Sequence, residues 1–210
     1  MKKLFITLFM AAIPLLAFAQ TEAQTNENLE VYVLGGLNMH SITGEDYNAA
    51  DNRGFGYNIV FGYQKPLGQN ENLFYGYEVG MGTRGSWTVK DGVDSKMVDH
   101  AIQIGINLIY RIRISDKETL DFHVGEATTM DMFGKTVATA KVGGETYTSE
   151  SKLKDYGTGF RMSDITLVPG VTFWYGKFGV DISWQRGLIP MSVDTDICQS
   201  NLLFRLGYKF

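Results

Sequence analysis

The sequence predicts an all-β protein, an eight-stranded antiparallel up-and-down transmembrane β-barrel. Three observations predict it. From Leu29 onward about eight segments alternate apolar and polar side chains with the period of two that a strand between unlike media requires. The connections between these segments alternate short and long, which a soluble meander has no reason to do. The chain also alternates up to its last residue, with Leu202, Phe204, Leu206, Tyr208 and Phe210 on one face and Asn201, Leu203, Arg205, Gly207 and Lys209 on the other. An aromatic face so close to an open edge would invite aggregation in water, whereas a closed barrel in lipid pairs both edges.

Bulk composition is compatible with this reading. Among 210 residues there are 24 Gly and 4 Pro, and 13% are aromatic, a mixture suited to strands and tight turns. Mean hydropathy of -0.09 is what a barrel gives when lipid-facing and lumen-facing residues average out. The net charge of -4 excludes a nucleic-acid footprint. Cys198 is the only cysteine, which excludes an internal disulfide and a cysteine-rich metal site.

Taken in order, residues 1–19 read as a signal peptide. Lys2 and Lys3 supply the positive start, an apolar run too short to span as a helix follows, and Ala17-Phe18-Ala19 is the small-residue cleavage site. Residues 20–28 form a polar periplasmic lead-in, and residues 29–210 the barrel. The first strand sets Val31, Val33 and Leu37 against Glu30, Tyr32 and Asn38. The second sets Phe55, Tyr57, Ile59, Phe61 and Tyr63 against Gly56, Asn58, Gly62 and Gln64. In the third, Leu73, Tyr75, Tyr77, Val79 and Met81 oppose Gly76, Glu78, Gly80, Gly82 and Arg84. The fourth is the cleanest of the middle strands, with Ile102, Ile104, Ile106, Leu108, Tyr110 and Ile112 opposing Gln103, Gly105, Asn107, Arg111 and Arg113.

The fifth segment is weaker. Leu120, Phe122 and Val124 face out and Asp121 and His123 face in until Glu126 breaks the pattern, and Gly125 is expected to mark a bulge that resets the phase. The sixth carries Ile165, Leu167, Val171, Phe173 and Tyr175 outward, with a kink expected at Pro169. The seventh alternates Phe178, Val180, Ile182 and Trp184 with Gly179, Asp181, Ser183 and Gln185; the C-terminal strand is the eighth. Tight turns fall near residues 66–71, 115–118 and 176–177, and long loops at 40–53, 85–96, 128–158 and 187–199. Two of these loops hold hairpin signals of their own around Asp91-Gly92 and Gly143-Gly144, so strands should continue into an exposed sheet.

The inward residues Glu30, Glu78, Arg84, Arg111, Arg113, Asp121, Asp181 and Arg205 are of both signs. A ring of eight strands is only wide enough for side chains to fill, so they should form a paired polar core and leave the lumen non-conducting. Tyr57, Tyr63, Tyr75, Tyr110, Trp184, Tyr208 and Phe210 fall towards the ends of outward faces, as interfacial girdles do.

No site for chemistry emerges. His40-Ser41 and Asp99-His100 are neighbours, and neighbours on a strand point to opposite faces, so neither pair can work as base and nucleophile or acid and base. His123 reads as a hydrogen-bonded lumen residue. No histidines share metal-ligand spacing, and Asp91, Asp94 and Asp99 read as ordinary loop acids. The glycines of Gly54-Phe55-Gly56 and Gly80-Met81-Gly82 relieve crowding in a small barrel, with no helix after them to cradle a phosphate. The expectation is no catalytic residue, no cofactor and no metal.

The cleavage region Ala17-Phe18-Ala19-Gln20, the Gly-rich aromatic strand at residues 54–63 and the alternating terminus at residues 202–210 resemble the small outer-membrane β-barrel family that includes PorT-like proteins, with OmpX/OmpW-type architecture. The terminal row Leu202, Phe204, Leu206, Tyr208 and Phe210 resembles the assembly signal of that family. The resemblance implies a bacterial outer-membrane location, contact with outer-membrane lipid and lipopolysaccharide, handling by the barrel assembly machinery and, for PorT-like members, a part in protein secretion. The termini are then periplasmic and the long loops extracellular. The reading is a monomer that is not an enzyme and acts structurally or in surface interaction, adhesion-type, through its loops, above all residues 126–158, with an extracellular or envelope protein as partner. Alternatives are a carrier of lipid or a small apolar ligand, with a lateral opening beside the fifth and sixth segments, and a PorT-like secretion component. An outer-leaflet lipid-modifying enzyme is a remote third, and a lipocalin-like soluble barrel would have the two faces reversed.

Overall fold

The computed structural model describes residues 29–44, 53–90, 93–142, 145–152, 155, 163–191 and 196–210. Residues 1–28, read from the sequence as signal peptide and lead-in, and the hairpin signals Asp91-Gly92 and Gly143-Gly144 lie outside the described residues.

Among the described residues nine strands follow in chain order: β1 (Glu30–Thr43), β2 (Arg53–Leu67), β3 (Asn70–Lys90), β4 (Val93–Arg113), β5 (Glu118–Val142), β6 (Glu145–Lys152), β7 (Ser163–Tyr175), β8 (Phe178–Gly187) and β9 (Cys198–Lys209). All of them but β6 form a ring of antiparallel pairs, β1-β2-β3-β4-β5-β7-β8-β9, which β9 closes against β1 from Tyr32↔Lys209 to Thr43↔Cys198. The first and last strands meet at this seam, where the Phe210 amide donates to the Val31 carbonyl at 3.0 Å. The result is a closed eight-stranded up-and-down barrel, with β6 hung on β5 outside the ring.

The registers set its shape. The row Leu120, Phe173, Val180, Leu206, Gly35, Ile59, Met81, Ile102 passes through all eight strands and returns to β5 at Met130. It therefore climbs ten residues in one circuit. An eight-stranded ring with that stagger tilts its strands by about 40° and has a radius of roughly 8 Å.

Which face looks inward is decided by exposure. Ile104 is 62% and Leu206 70% exposed, while Asp181 is 0% and Arg205 2% exposed. The barrel is thus apolar outside and polar inside, the reverse of a lipocalin-like protein. An outer wall of Ile, Leu, Phe and Val would be costly against water and suits hydrocarbon. No helix among the described residues is long and apolar enough to cross a membrane; the apolar wall is made of strands.

Several expectations change in detail. Gly125 makes no bulge: alternation runs unbroken from Asp121 to Met132, with Gly125 and Ala127 inward and Glu126 outward. The irregularity lies higher, where His100 pairs Phe133 and Ala101 pairs Asp131, leaving Met132 as the extra residue. That bulge keeps Asp99 and Ala101 both inward on β4 while β5 changes phase. At Pro169 the β7–β8 ladder skips from Leu167↔Arg186 to Gly170↔Ser183, as a residue without an amide donor requires. The loop at residues 85–96 is mostly strand, and much of 128–158 is too. Above the ring, the upper ends of β3, β4 and β5 pair on and are joined by β6, making a four-stranded sheet.

The tight turns lie where expected. Gly68 at φ 66 and Gly176 at φ 58 occupy the left-handed region in the β2–β3 and β7–β8 connections.

Candidate functional site

Two places hold the residues that could carry function: the lumen and the projecting sheet. In the lumen near the chain ends, Arg111 grips two acids at once. Its Nη1 donates to Glu30 Oε1 at 2.5 Å and its Nη2 to Glu30 Oε2 at 2.9 Å, while Nε reaches Asp121 Oδ1 at 2.7 Å. The planar guanidinium fork makes this shared contact available. Lys209 Nζ lies 2.7 Å from Glu30 Oε2 and also 4.4 Å from the centre of the Trp174 ring, so the C-terminal strand is tied to β1 by charge as well as backbone.

Farther up, Asp181 collects four donors. Its Oδ1 accepts from Arg205 Nε at 2.8 Å and Ser183 Oγ at 2.6 Å, and its Oδ2 accepts from Thr172 Oγ1 at 2.8 Å and faces His123 Nε2 at 3.0 Å. Arg205 extends the network to Asn58 Oδ1 at 3.1 Å. Glu78 accepts from the Tyr32 hydroxyl at 2.7 Å.

Of the inward residues read from the sequence, Glu30, Glu78, Arg84, Arg111, Asp121, Asp181 and Arg205 have their charged groups in these lumen contacts. Arg113 does not. It lies at the rim with its side chain 57% exposed and pairs with Glu71 at 3.3 Å. Two residues past Arg111, β4 has already reached the turn, so inward parity there faces solvent rather than the lumen.

The sequence reading missed an apolar plug. Tyr32, Leu34, Val60 and Trp174 are all buried together in the lumen. Leu34, Val60 and Trp174 occupy inward parity on their strands, which was the signal available. Beside the plug is a cavity of about 20 Å³, lined by Tyr32, Glu78, Asn107, Asp121 and Trp174 among others, room for about one water.

Past the spanning segment of β4 (residues 102–112), Arg84 meets three acids. Its Nε is 3.3 Å from Asp131 Oδ1 and its Nη1 donates to Thr129 at 2.6 Å. Burial, with Asp131 adding and Arg84 opposing, pushes the Asp99 carboxyl up to about 7. Burial, opposed by Arg84 and reinforced by Asp164, pushes Asp131 up to about 6, and burial raises Asp164 as well. One guanidinium does not balance three carboxylates, which makes this end of the lumen sensitive to protons.

The histidines sort differently from one another. His40 is fully buried, while His100 faces outward beside Tyr57 and stacks on Phe133 with centroids 4.6 Å apart. His123 stands near both Asp181 and Ser183, but all three meet at Nε2, with Ser183 Oγ 3.5 Å away. A relay needs the acid on one ring nitrogen and the hydroxyl on the other, so this geometry holds the ring rather than passing a proton. Among the described residues no three His, Cys, Asp or Glu side chains converge to hold a metal ion.

No family model and no curated protein matches the sequence. Among solved structures the chain is similar to Ail, the attachment invasion locus protein of Yersinia pestis, at 14% identity and a TM-score of 0.46, over 87% of this chain and 99% of that one. It is also similar to Neisserial surface protein A (13% identity, TM-score 0.43, 86% and 97% covered) and to a de novo designed transmembrane β-barrel (13%, 0.36, 87% and 95%). The likenesses are distant, and the barrel rests on its own registers and exposures.

The second place is the projecting sheet. Trp87 Nε1 donates to Asp94 at 2.7 Å between β3 and β4, and Lys135 Nζ to Glu150 at 3.0 Å between β5 and β6. Every residue of β6 is exposed, and β6 pairs only with β5 among the described residues. Among the described residues no strand pairs with its other edge.

Proposed function

We propose that the chain is a bacterial outer-membrane barrel whose working part is the projecting β3–β6 sheet, acting in surface interaction by accepting a strand from a protein partner along β6. The observation that carries this is the edge of Glu145–Lys152 that no strand among the described residues pairs, in a Thr- and Ser-rich strand with neither proline nor a bulge to blunt it. The lumen supports a non-enzymatic reading, since Arg111 with Glu30 and Asp121, and Arg205 with Asp181, engage one another and the cavity beside the plug is about 20 Å³. The short turns and both termini then face the periplasm and the sheet faces outward. The apolar wall meets lipid and lipopolysaccharide, and the row Leu202, Phe204, Leu206, Tyr208 and Phe210 serves the assembly machinery.

The test is deletion of residues 136–148 in cells that display the protein. Adherence to a cultured epithelial monolayer should be lost while heat-modifiable gel mobility, the mark of an inserted barrel, is kept. Unchanged adherence would reject the reading.

The gap in the β7–β8 ladder at Val168 and Pro169 favours a second reading, a lateral opening for a lipid or small apolar ligand. Lipid retained through detergent exchange by the wild type but not by a variant cross-linked between β7 and β8 would support it. A PorT-like part in secretion rests on the resemblance in sequence alone.

A further inference from the structure

On the outer wall, β5 carries Glu126 and Thr128 among apolar neighbours. Register sets Ile106 and Leu167 on either side of Glu126, and Ile104 and Ile165 on either side of Thr128. Both polar residues are exposed, so they point away from the lumen. Glu126 lies between Leu120 and Met130 on the outward row of β5, four residues below the latter. At about 3.3 Å per residue and a tilt of about 40°, that puts it roughly 10 Å inside the nearer edge of the apolar band. A glutamate is too short to lift its carboxylate to the interface as lysine and arginine do. The Thr128 hydroxyl donates to it at 3.3 Å, and no cation pairs with it among the described residues. It is the only acidic side chain on the outward rows of this band among the described residues.

We propose that the Glu126–Thr128 face docks a second membrane-embedded protein that presents a lysine or arginine at the same depth. The inference rests on the membrane reading above. Charge complementarity selects this occupant, because an acyl chain offers neither a donor nor a charge. A second copy of the chain fits badly. A two-fold axis normal to the membrane keeps depth unchanged, so a symmetric contact through this face sets Glu126 against its own copy. The outward cation on the same register row, Arg186, is two strands away, higher in the band, and already donates to Thr43.

The test places the full barrel in phosphatidylcholine vesicles with a synthetic leucine-alanine transmembrane helix carrying one central lysine, and measures association by energy transfer. A helix with leucine at that position is the control. The lysine helix should bind about tenfold more tightly than the control, and the ratio should fall to about one in both Glu126→Gln and Glu126→Leu. Both variants remove charge from lipid and should keep the heat-modifiable mobility of an inserted barrel. An inserted wild-type barrel that treats the two helices alike overturns the docking proposal alone, whereas a barrel recovered outside the vesicles overturns the membrane reading with it. Barrel-to-barrel energy transfer that disappears in Glu126→Leu would assign the face to a second copy and overturn the proposal too.

Discussion

Arg205 on β9 stands directly across the ladder from Asp181 on β8, with Nε 2.8 Å from Oδ1 and side chains 1% and 0% exposed. The pair ties together the two strands next to the seam. Removing one partner leaves a buried charge unpaired, which costs about 3–5 kcal/mol, whereas replacing both by apolar groups of similar size costs far less. Asp181→Leu and Arg205→Met should each lower the urea midpoint in detergent by such an amount, and the double variant should recover most of it. Strict additivity of the two losses, read by tryptophan fluorescence, would show that the pair is not coupled.

The plug formed by Tyr32, Leu34, Val60 and Trp174 decides what the lumen passes. In planar bilayers the wild type should give no current steps of porin size, because the plug fills the lumen and the cavity beside it has room for about one water. Trp174→Ala should lower stability by about 3–5 kcal/mol through the void it leaves. It should still not conduct, since Arg111, Asp121 and Glu30 close the lumen near the chain ends. Porin-like currents from the wild type would end the filled-lumen account.

The barrel was legible in the sequence because its two faces meet opposite media, so each strand repeats the same two-residue signal. Ile104, Ile106 and Leu108 against Gln103 and Asn107 leave little choice of face. The plug was not legible, since Leu34 and Trp174 are apolar residues on the polar side and parity alone does not say that three strands aim them at one point. Arg113 misled because parity gives direction but not height, and past the end of the wall inward no longer means buried. Glu126 misled in another way. It breaks the polar-apolar pattern of β5, yet the backbone keeps its phase there and the acidic side chain stands on the apolar outer wall. The bulge at Met132 was hidden because it sits in a stretch where both phases are partly polar.

The acids around Arg84 make the sheet-bearing end of the barrel depend on pH. Asp99, at about 7, and Asp131, at about 6, both hold protons more tightly in the folded state than the ordinary carboxylate does. Between about pH 4 and 7 the folded protein therefore binds more protons than the unfolded chain, and stability falls as pH rises through that window. Amide exchange at residues 98–100 and 131–134 should be slower at pH 5.5 than at pH 8 after correction for intrinsic rates. Asp99→Asn should flatten the difference. A barrel end that is better protected at the higher pH would contradict this sign.

Closure of the ring turns on a side chain that is missing. Gly36 on β1 pairs with Arg205 on β9, and a Cβ at Gly36 would overlap the backbone carbonyl of Phe204. Backbone held by a ladder on both sides cannot give way as the end of a flexible side chain can. At Gly35, one residue earlier and facing out, an added Cβ would meet only the Ile59 side chain at 3.7 Å, an ordinary contact. Gly36→Ala should therefore force β9 off β1 and cost about 3 kcal/mol, within the usual cost of overpacking, while Gly35→Ala should stay within about 0.5 kcal/mol of the wild type. Heat-modifiable mobility and urea midpoints would separate the two, with the unfolded band enriched only for Gly36→Ala. Equal behaviour of the two variants would mean that β1 and β9 approach less closely than the register requires.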